Sequence, residues 1–561
     1  MTEKDPRRAN EITGVAASSG VSVGPVYLHD PGELKPQRET IASGEAEAEL
    51  QRFSRAVETV VSRLGEIRDR MNREAGGDSE EASIFDAHIE LASDPELYEG
   101  VAGRVRSLES PESAVLLVGE EYAALFAEMD DEYLAARADD VRDVMSQISA
   151  ELSGKGAESG LGALPEPAVI LARSLAPSDT ARIPRGMALG FVTAEGSRTS
   201  HVSIMARSLG VPAVVGAGTA LEEYLTSGGL ADGEHAAAVD GGGGYVVLDP
   251  DPETVRDFEA RREEQAEQRE ALERYRFVEA RTRSGRHVGV YANLGTASEA
   301  EDALASGAEG VGLFRTEFLF MERDELPTED EQYEAYRKVA EVFAGKPVII
   351  RTLDVGGDKS LPGVDQPTEE NPFLGWRGIR MSLDVPELFK PQLRALLRAA
   401  GATHGNLKVM FPMISGVDEL RGAKRMLEEC RAELRAEGET VGELQAGAMI
   451  ETPAAAVCAG ELAREADFFS VGTNDLVQYT LAADRGNERL KAMPGAEHPA
   501  VMRLVEMACR AASGAGIQVG VCGEAAGEPA LIPALVAAGV DELSMSPPAI
   551  PAAKKAVSGL G

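Results

Sequence analysis

At 561 residues the chain is long enough for about two to four domains, each burying its own core. Asp and Glu number 94 against 56 Lys and Arg, and the net charge of −38 repels nucleic acid and anionic membrane surfaces alike. The acids dot every expected helix surface, a solvated exterior suited to high salt.

The first residues, MTEKDPRRANEITG, hold no apolar signal core, and no window approaches the roughly 18 apolar residues of a membrane span. The expectation is a cytoplasmic protein without membrane insertion. Four cysteines, Cys430, Cys458, Cys509 and Cys522, lie in the last third without CxxC spacing, which argues against a zinc knuckle or disulfide framework and for reduced thiols.

The run ITGVAASSGVSVGPVYLHD, from residue 12, reads as short strands broken by glycines. Residues 38–153 carry apolar and acidic periodicities of about 3.6 residues, with breaks near GGD and SLESPES, which predicts an all-helical block. From 168 strands and helices alternate: AVILARS, a helix opening around Ser178, GMALGFVT, a helix led by His201, then AVVG, AAAVDGG and YVVL. The strands on either side of the helical block are expected to share one α/β domain. Segment 249–277 starts with prolines and carries dense opposite charges at i,i+4 spacing, which predicts a single exposed linker helix.

Eight apolar runs then alternate with helical stretches: HVGVYANL, GVGLFRT, PVIIRTLD, LKVMFPM, AGAMIETP, FFSVGTND, QVGVCGE and DELSMSP. That count predicts a (β/α)₈ barrel. In such a barrel chemistry sits at the C-terminal strand ends, where these runs turn polar at Arg315, Arg351, Glu451, Asn474, Asp475 and Cys522.

His201 stands in EGSRTSHVSIMARSLG between small polar residues and an apolar helix. A phosphoryl carrier needs an uncharged ring nitrogen at neutral pH, which an ordinary histidine pKa near 6.5 supplies. Gly196, Ser197, Thr199 and Ser200 leave N–H groups and hydroxyls free, the helix offers its positive end, and Arg198 adds a charge. The plainer reading is a helix-capping histidine.

Arg315, Arg351, Arg377 and Arg485 present guanidinium forks fitted to phosphate and carboxylate, although any one alone reads equally as an ion-pair residue. Glu451 and Asp475 are hard oxygen ligands of the kind Mg²⁺ accepts, or else hydrogen-bonded barrel-mouth carboxylates. Asn474 suits a substrate oxygen or ordinary loop chemistry. Cys522, flanked by glycine at a strand end, is either a protonated thiol able to deliver a proton to carbon or a small buried side chain.

Together, GSRTSHVSIMARSLGVPAVVG, GVGLFRTEFLFM, RTLDVGGDK, NPFLGWRGIR, IETPAA, FFSVGTNDLVQYT and VCGEAAG resemble the motifs of enzyme I of the sugar phosphotransferase system, the phosphoenolpyruvate–protein phosphotransferases. The similarity runs from about residue 12 to about residue 550. It implies a multi-domain α/β protein: a swivelling phosphohistidine domain at 8–30 plus 156–248, an inserted helical bundle at 31–155 that docks the carrier protein HPr, a linker helix at 249–277, and a (β/α)₈ barrel at 278–555 that binds phosphoenolpyruvate and forms a homodimer.

By the same resemblance His201 is the phosphorylated residue, with Thr180 in APSDT hydrogen-bonding its imidazole. Arg315, Arg351, Arg377, Arg485 and Asn474 hold phosphoenolpyruvate, Glu451 and Asp475 coordinate Mg²⁺, and Cys522 protonates the enol carbon. His88 is a candidate HPr contact, against the plainer reading of a solvated helix-surface histidine. Two positions depart from the family pattern: Ser197 replaces a glycine and Ala176 a threonine.

The implied reaction moves the phosphoryl group from phosphoenolpyruvate to His201, releasing pyruvate, and then to a histidine of HPr. A dikinase or phosphoenolpyruvate synthase shares these parts but adds an ATP module, and the first 160 residues show no glycine-rich nucleotide loop. A non-catalytic regulatory homologue has no chemical need for His201, Glu451, Asp475, Arg485 and Cys522 together.

Overall fold

Alternating apolar residues make the first short runs strands: β1 (Glu11–Thr13), β2 (Val15–Ser18) and β3 (Val21–His29). The computed structural model describes residues 10–29, 40–75, 80–127, 132–154, 161–184, 186–197, 200–226, 235–321, 323, 325–356, 361–364, 366, 369–403, 405–484, 487, 490 and 493–561. They fall into two units, divided between residues 268 and 269.

In the first unit the chain leaves the sheet after β3 and makes α1 (Ala46–Ala75), α2 (Glu80–Ala92), α3 (Pro95–Arg106), α4 (Pro111–Ala127) and α5 (Glu132–Leu152). The SLESPES break falls between α3 and α4, where Pro111 opens a new helix; the GGD break lies outside the described residues. The bundle core is Phe53, Val60, Leu64, Phe85, Val101, Val115, Val141 and Val144, and Ala181 from the α/β part joins it.

The chain returns through β4 (Ala168–Ala172), α6 (Pro177–Ala181), β5 (Ala188–Thr193), α7 (His201–Leu209), β6 (Ala213–Val215), α8 (Gly218–Thr226), β7 (Ala236–Asp240) and β8 (Tyr245–Leu248). The sheet order is β1-β8-β7-β3-β4-β5-β6-β2, with β3 to β6 parallel and the outer pairs antiparallel. All five residues of β4 are buried, because apolar clusters cover both faces of the sheet.

The charged segment forms α9 (Pro252–Glu273). Its early part is anchored to the sheet: Phe258 is buried against Val21, Ala238 and Val247, and Arg261 pairs with Asp240. Burying that phenyl ring contributes about 2–3 kcal/mol.

The second unit is a closed parallel barrel of β9 (Gly289–Leu294), β10 (Val311–Arg315), β11 (Val348–Arg351), β12 (Leu407–Phe411), β13 (Gln445–Ile450), β14 (Phe468–Val471), β15 (Gln518–Val521) and β16 (Glu542–Met545). Each pairs with the next, and β16 closes on β9. Leu313, Ile349, Met410, Met449, Phe468 and Cys522 pack together as a separate apolar cluster on the barrel strands. Among the described residues no helix is long and apolar enough to cross a membrane.

Candidate active site

His201 is the first residue of α7, behind the N-cap Ser200. Gly196 adopts φ +109, in the region only glycine enters freely, and lets the loop turn back. The Ser197 carbonyl accepts from the hydroxyls of Ser200 at 2.9 Å and Ser203 at 2.6 Å, so the residue that departs from the family glycine is used as a backbone acceptor. The described helix end thus places His201 at the positive end of the α7 dipole.

Burial pulls the His201 pKa below its ordinary value; Asp140, on α5, opposes this and His88 adds to it. The ring is therefore neutral at pH 7, as a nucleophile must be. Asp140 is a residue that sequence pattern alone misses, because only the packing of α5 brings it into the field of α7.

His88 is not a surface residue. It is fully buried, with Asp140 at 3.2 Å from Nε2 and Asp143 at 3.6 Å from Nδ1, and Asp143 accepts from Ser178 of α6 at 2.7 Å. Burial raises the Asp143 pKa. The expectation of a docking contact fails because α2 turns this ring toward α5, where two carboxylates solvate it.

Thr180 is also differently engaged. Its hydroxyl, nearly inaccessible, donates to the Pro177 carbonyl at 2.9 Å, and among the described residues no hydrogen bond joins it to His201. A threonine in a one-turn helix satisfies itself locally; only its lone pairs remain for the imidazole. Arg198 and Thr199 lie outside the described residues.

The barrel mouth is assembled from neighbouring strand ends. Arg315 closes β10 and pairs in register with Arg351 at the end of β11. Arg315 is exposed, whereas Arg351 is buried between Glu317 at 3.1 Å and Asp354 at 3.2 Å. Arg377, in the loop after β11, grips Asp354 through Nε at 3.2 Å and Nη2 at 2.8 Å, and reaches Asp475 at 3.5 Å and the Tyr479 hydroxyl at 3.3 Å. Burial would discharge both buried guanidiniums, but the carboxylates around them hold both pKa values above the ordinary arginine range.

Glu451 follows β13, Asn474 and Asp475 open the helix Thr473–Leu481 after β14, and Cys522 follows β15. Adjacent strands thus bring the four together, as Cys522 N–H to Val471 O at 3.0 Å records. Glu451 is wholly buried; its Oε1 accepts from Met413 N–H at 2.6 Å, and its Oε2 meets no hydrogen-bond partner among the described residues. Burial first, then Asp354 and Asp475, push its pKa well up. Such a carboxyl is poised to lose its proton to an arriving cation.

Burial lifts the Cys522 thiol to about 11, so it is protonated at neutral pH. Asn474 is already engaged: it donates to Glu524 at 3.3 Å and accepts Glu524 N–H at 3.0 Å, so it must exchange partners to touch a substrate. Arg485 lies outside the described residues. Glu317 and Asp354 were not singled out by sequence; the signal was their place just behind Arg315 and Arg351, in RTEF and RTLD.

A closed parallel barrel with arginines and carboxyls at its mouth, and a separate α/β sheet carrying a helix-leading histidine, defines the PEP-utilising enzymes. The chain matches that class three times: the N-terminal region at residues 13–137, the mobile domain at 164–244 and the PEP-binding domain at 269–560. It is 45% identical over 540 residues to the phosphoenolpyruvate-protein phosphotransferase of Priestia megaterium, covering 96% of this chain and 91% of that one. It is 42% identical over 552 residues to the protein of that name in Bacillus subtilis strain 168, covering 98% and 94%. A solution structure of Enzyme I matches at 37% identity and TM-score 0.38, covering 46% of this chain and 99% of that one. The chain belongs to the phosphoenolpyruvate-protein phosphotransferase family.

Proposed function

We propose that this enzyme transfers the phosphoryl group of phosphoenolpyruvate to His201, releases pyruvate, and passes the group to a histidine of the carrier protein HPr, the first step of the sugar phosphotransferase system. The observation that carries the reading is the barrel mouth, where Arg315, Arg351 and Arg377 converge with Glu451, Asp475 and the protonated Cys522 on neighbouring strand ends.

Phosphoenolpyruvate is a trianion at neutral pH, and the guanidinium forks bind its phosphate and carboxylate. Arg315, exposed and without an ion pair among the described residues, takes the phosphate, helped by Arg485 and, after it leaves Glu524, by Asn474. The neutral His201 ring attacks phosphorus in line; the phosphorus–oxygen bond breaks and the electron pair passes through the enolate to carbon. Cys522 delivers a proton to that carbon, completing pyruvate, and the thiolate recovers its proton from solvent. Thr180 supports His201 through a lone pair, since its proton is spent on Pro177.

Mg²⁺ fits the mouth. Among the described residues no group of three or more His, Cys, Asp or Glu could hold a metal by itself, but Mg²⁺ needs only one or two carboxylates when substrate oxygens and waters complete its shell. Glu451, with its unpartnered buried oxygen, and Asp475 would hold it. Bound there, it would neutralise charge on the transferring phosphate.

In this reading 8–30 with 156–248 is the phosphohistidine domain, 31–155 docks HPr, 249–277 is the linker on which the histidine domain swings, and 278–555 binds substrate and dimerises. The work is cytoplasmic, where phosphoenolpyruvate is made. The test is labelling by phosphoenolpyruvate carrying a radioactive phosphate, with Mg²⁺ in high salt. An acid-labile, alkali-stable label lost in His201→Ala is the expected result; no label, or label only from ATP, overturns the reading.

A further inference from the structure

Met413 lies after β12, in FPMIS, with its apolar side chain buried in the barrel core. It nevertheless holds an unusual backbone. Its φ is +55, in the left-handed region that disfavours a residue with a Cβ, and it is only 1% exposed. The strained peptide is held at two points by the end of β13: Met413 N–H donates to Glu451 Oε1 at 2.6 Å, and Thr452 Oγ1 donates to the next carbonyl, that of Ile414, at 2.9 Å.

A third element presses from the other side. Gly378, itself at φ +57, lies so close that a Cβ there would sit 2.9 Å from Met413 Cγ and 3.0 Å from Asp354 Oδ1. Gly472 closes the remaining side of the carboxyl, where a Cβ would lie 2.8 Å from Glu451 Oε2. Strain kept at a buried, over-determined position beside a reactive group is a mark of function.

We infer that Met413 is a positioning residue for the cation site: its left-handed backbone aims one N–H at Glu451 Oε1, which fixes the carboxyl rotamer and presents Oε2 to the divalent ion. The inference rests on the reading of Glu451 as a metal ligand. An outer-shell donor of this kind orients its ligand, and its loss weakens metal binding by about 10–100-fold.

The alternative role, a core side chain and nothing more, makes the opposite prediction for one series of variants. Met413→Gly, Met413→Ala and Met413→Val all remove the thioether tail. If the backbone matters, affinity follows ease of positive φ, Gly above Ala above Val. If only packing matters, it follows retained volume, Val above Ala above Gly.

The experiment titrates Mn²⁺, followed by its electron paramagnetic resonance signal, into the full chain with phosphoenolpyruvate, in a His201→Ala background that prevents turnover. Thermal unfolding is recorded beside it. The expected result is Mn²⁺ affinity within about twofold of the parent for Gly and at least about tenfold weaker for Val, with the thermal scans showing each variant folded at the titration temperature. Should Val not fold, Ala binding clearly more weakly than Gly supports the inference, and equal binding overturns it. Affinity that follows volume, or stays flat, also overturns it. Glu451→Gln separates the layers: if it abolishes Mn²⁺ binding while the Met413 series is flat, only this inference falls; if it leaves binding intact, the metal-ligand reading falls as well.

Discussion

In the proposed function the histidine site and the barrel mouth handle one phosphoryl group, and the two are built in opposite ways. His201 leads a helix at a half-buried surface, held by backbone and by a few small hydroxyls. The mouth is a closed lattice, in which Arg351 and Arg377 share Asp354, Glu317 accepts the Asp354 N–H at 2.9 Å, and Glu451 is fixed from β12. A carrier has to meet two partners in turn, so its charge comes from whichever site it visits. A catalytic mouth has to be organised before the substrate arrives, because reorganisation at the moment of reaction costs rate.

The sharpest break in that comparison is His201→Ala. It should abolish phosphoenolpyruvate-dependent labelling while lowering stability by only about 1 kcal/mol, since the ring is half-buried; calorimetry beside the labelling assay checks both. Asp354→Ala should cost both properties. It removes the carboxylate that two buried guanidiniums share, leaving Arg351 to Glu317 and Arg377 to Asp475; unfolding by denaturant should show a loss of about 3 kcal/mol, with labelling slowed by at least about a thousandfold.

Gly472→Ala is a finer instrument, because the added methyl would meet Glu451 Oε2 at 2.8 Å and Met449 Cε at 2.7 Å. The flexible methionine can yield but the carboxyl cannot, so the Mg²⁺ concentration for half-maximal labelling should rise about 10–100-fold, with stability falling by about 1–3 kcal/mol.

The smallest effect concerns pH. Burial lowers the His201 pKa, so the ring stays neutral below pH 6.5 and labelling should persist there, declining only as pH falls through that lower value. In the window between the folded pKa and 6.5 the unfolded chain binds more protons, so this group's contribution to stability rises with pH and is lost on acidification. An NMR titration of His201 midpointing above 6.5 would contradict the assignment.

Periodicity and turn residues made the architecture legible. All eight barrel runs are strands, and GVGLFRT, AGAMIETP and QVGVCGE end where their polar residues begin. Local signals sufficed there because a parallel strand buried on both faces needs an unbroken apolar run, and its C-terminal end is where solvent is met again. The helix after Ser200 was legible for a similar reason, a small polar cap before an apolar stripe.

Which charges face one another was not legible. That Arg351 and Arg377 share one aspartate, that Met413 holds Glu451, and that His88 is buried between Asp140 and Asp143 depends on contacts between residues far apart in the chain. Sequence by itself determined the elements, the barrel, the family and the residue types available for phosphoryl chemistry, because hydrophobic period, caps and turn residues act over a few neighbouring positions. Only the tertiary structure decided the protonation of Glu451 and Cys522 and the engagement of Thr180 and Asn474. Desolvation and Coulomb energy depend on distance and burial in space, and neither is written in the order of residues.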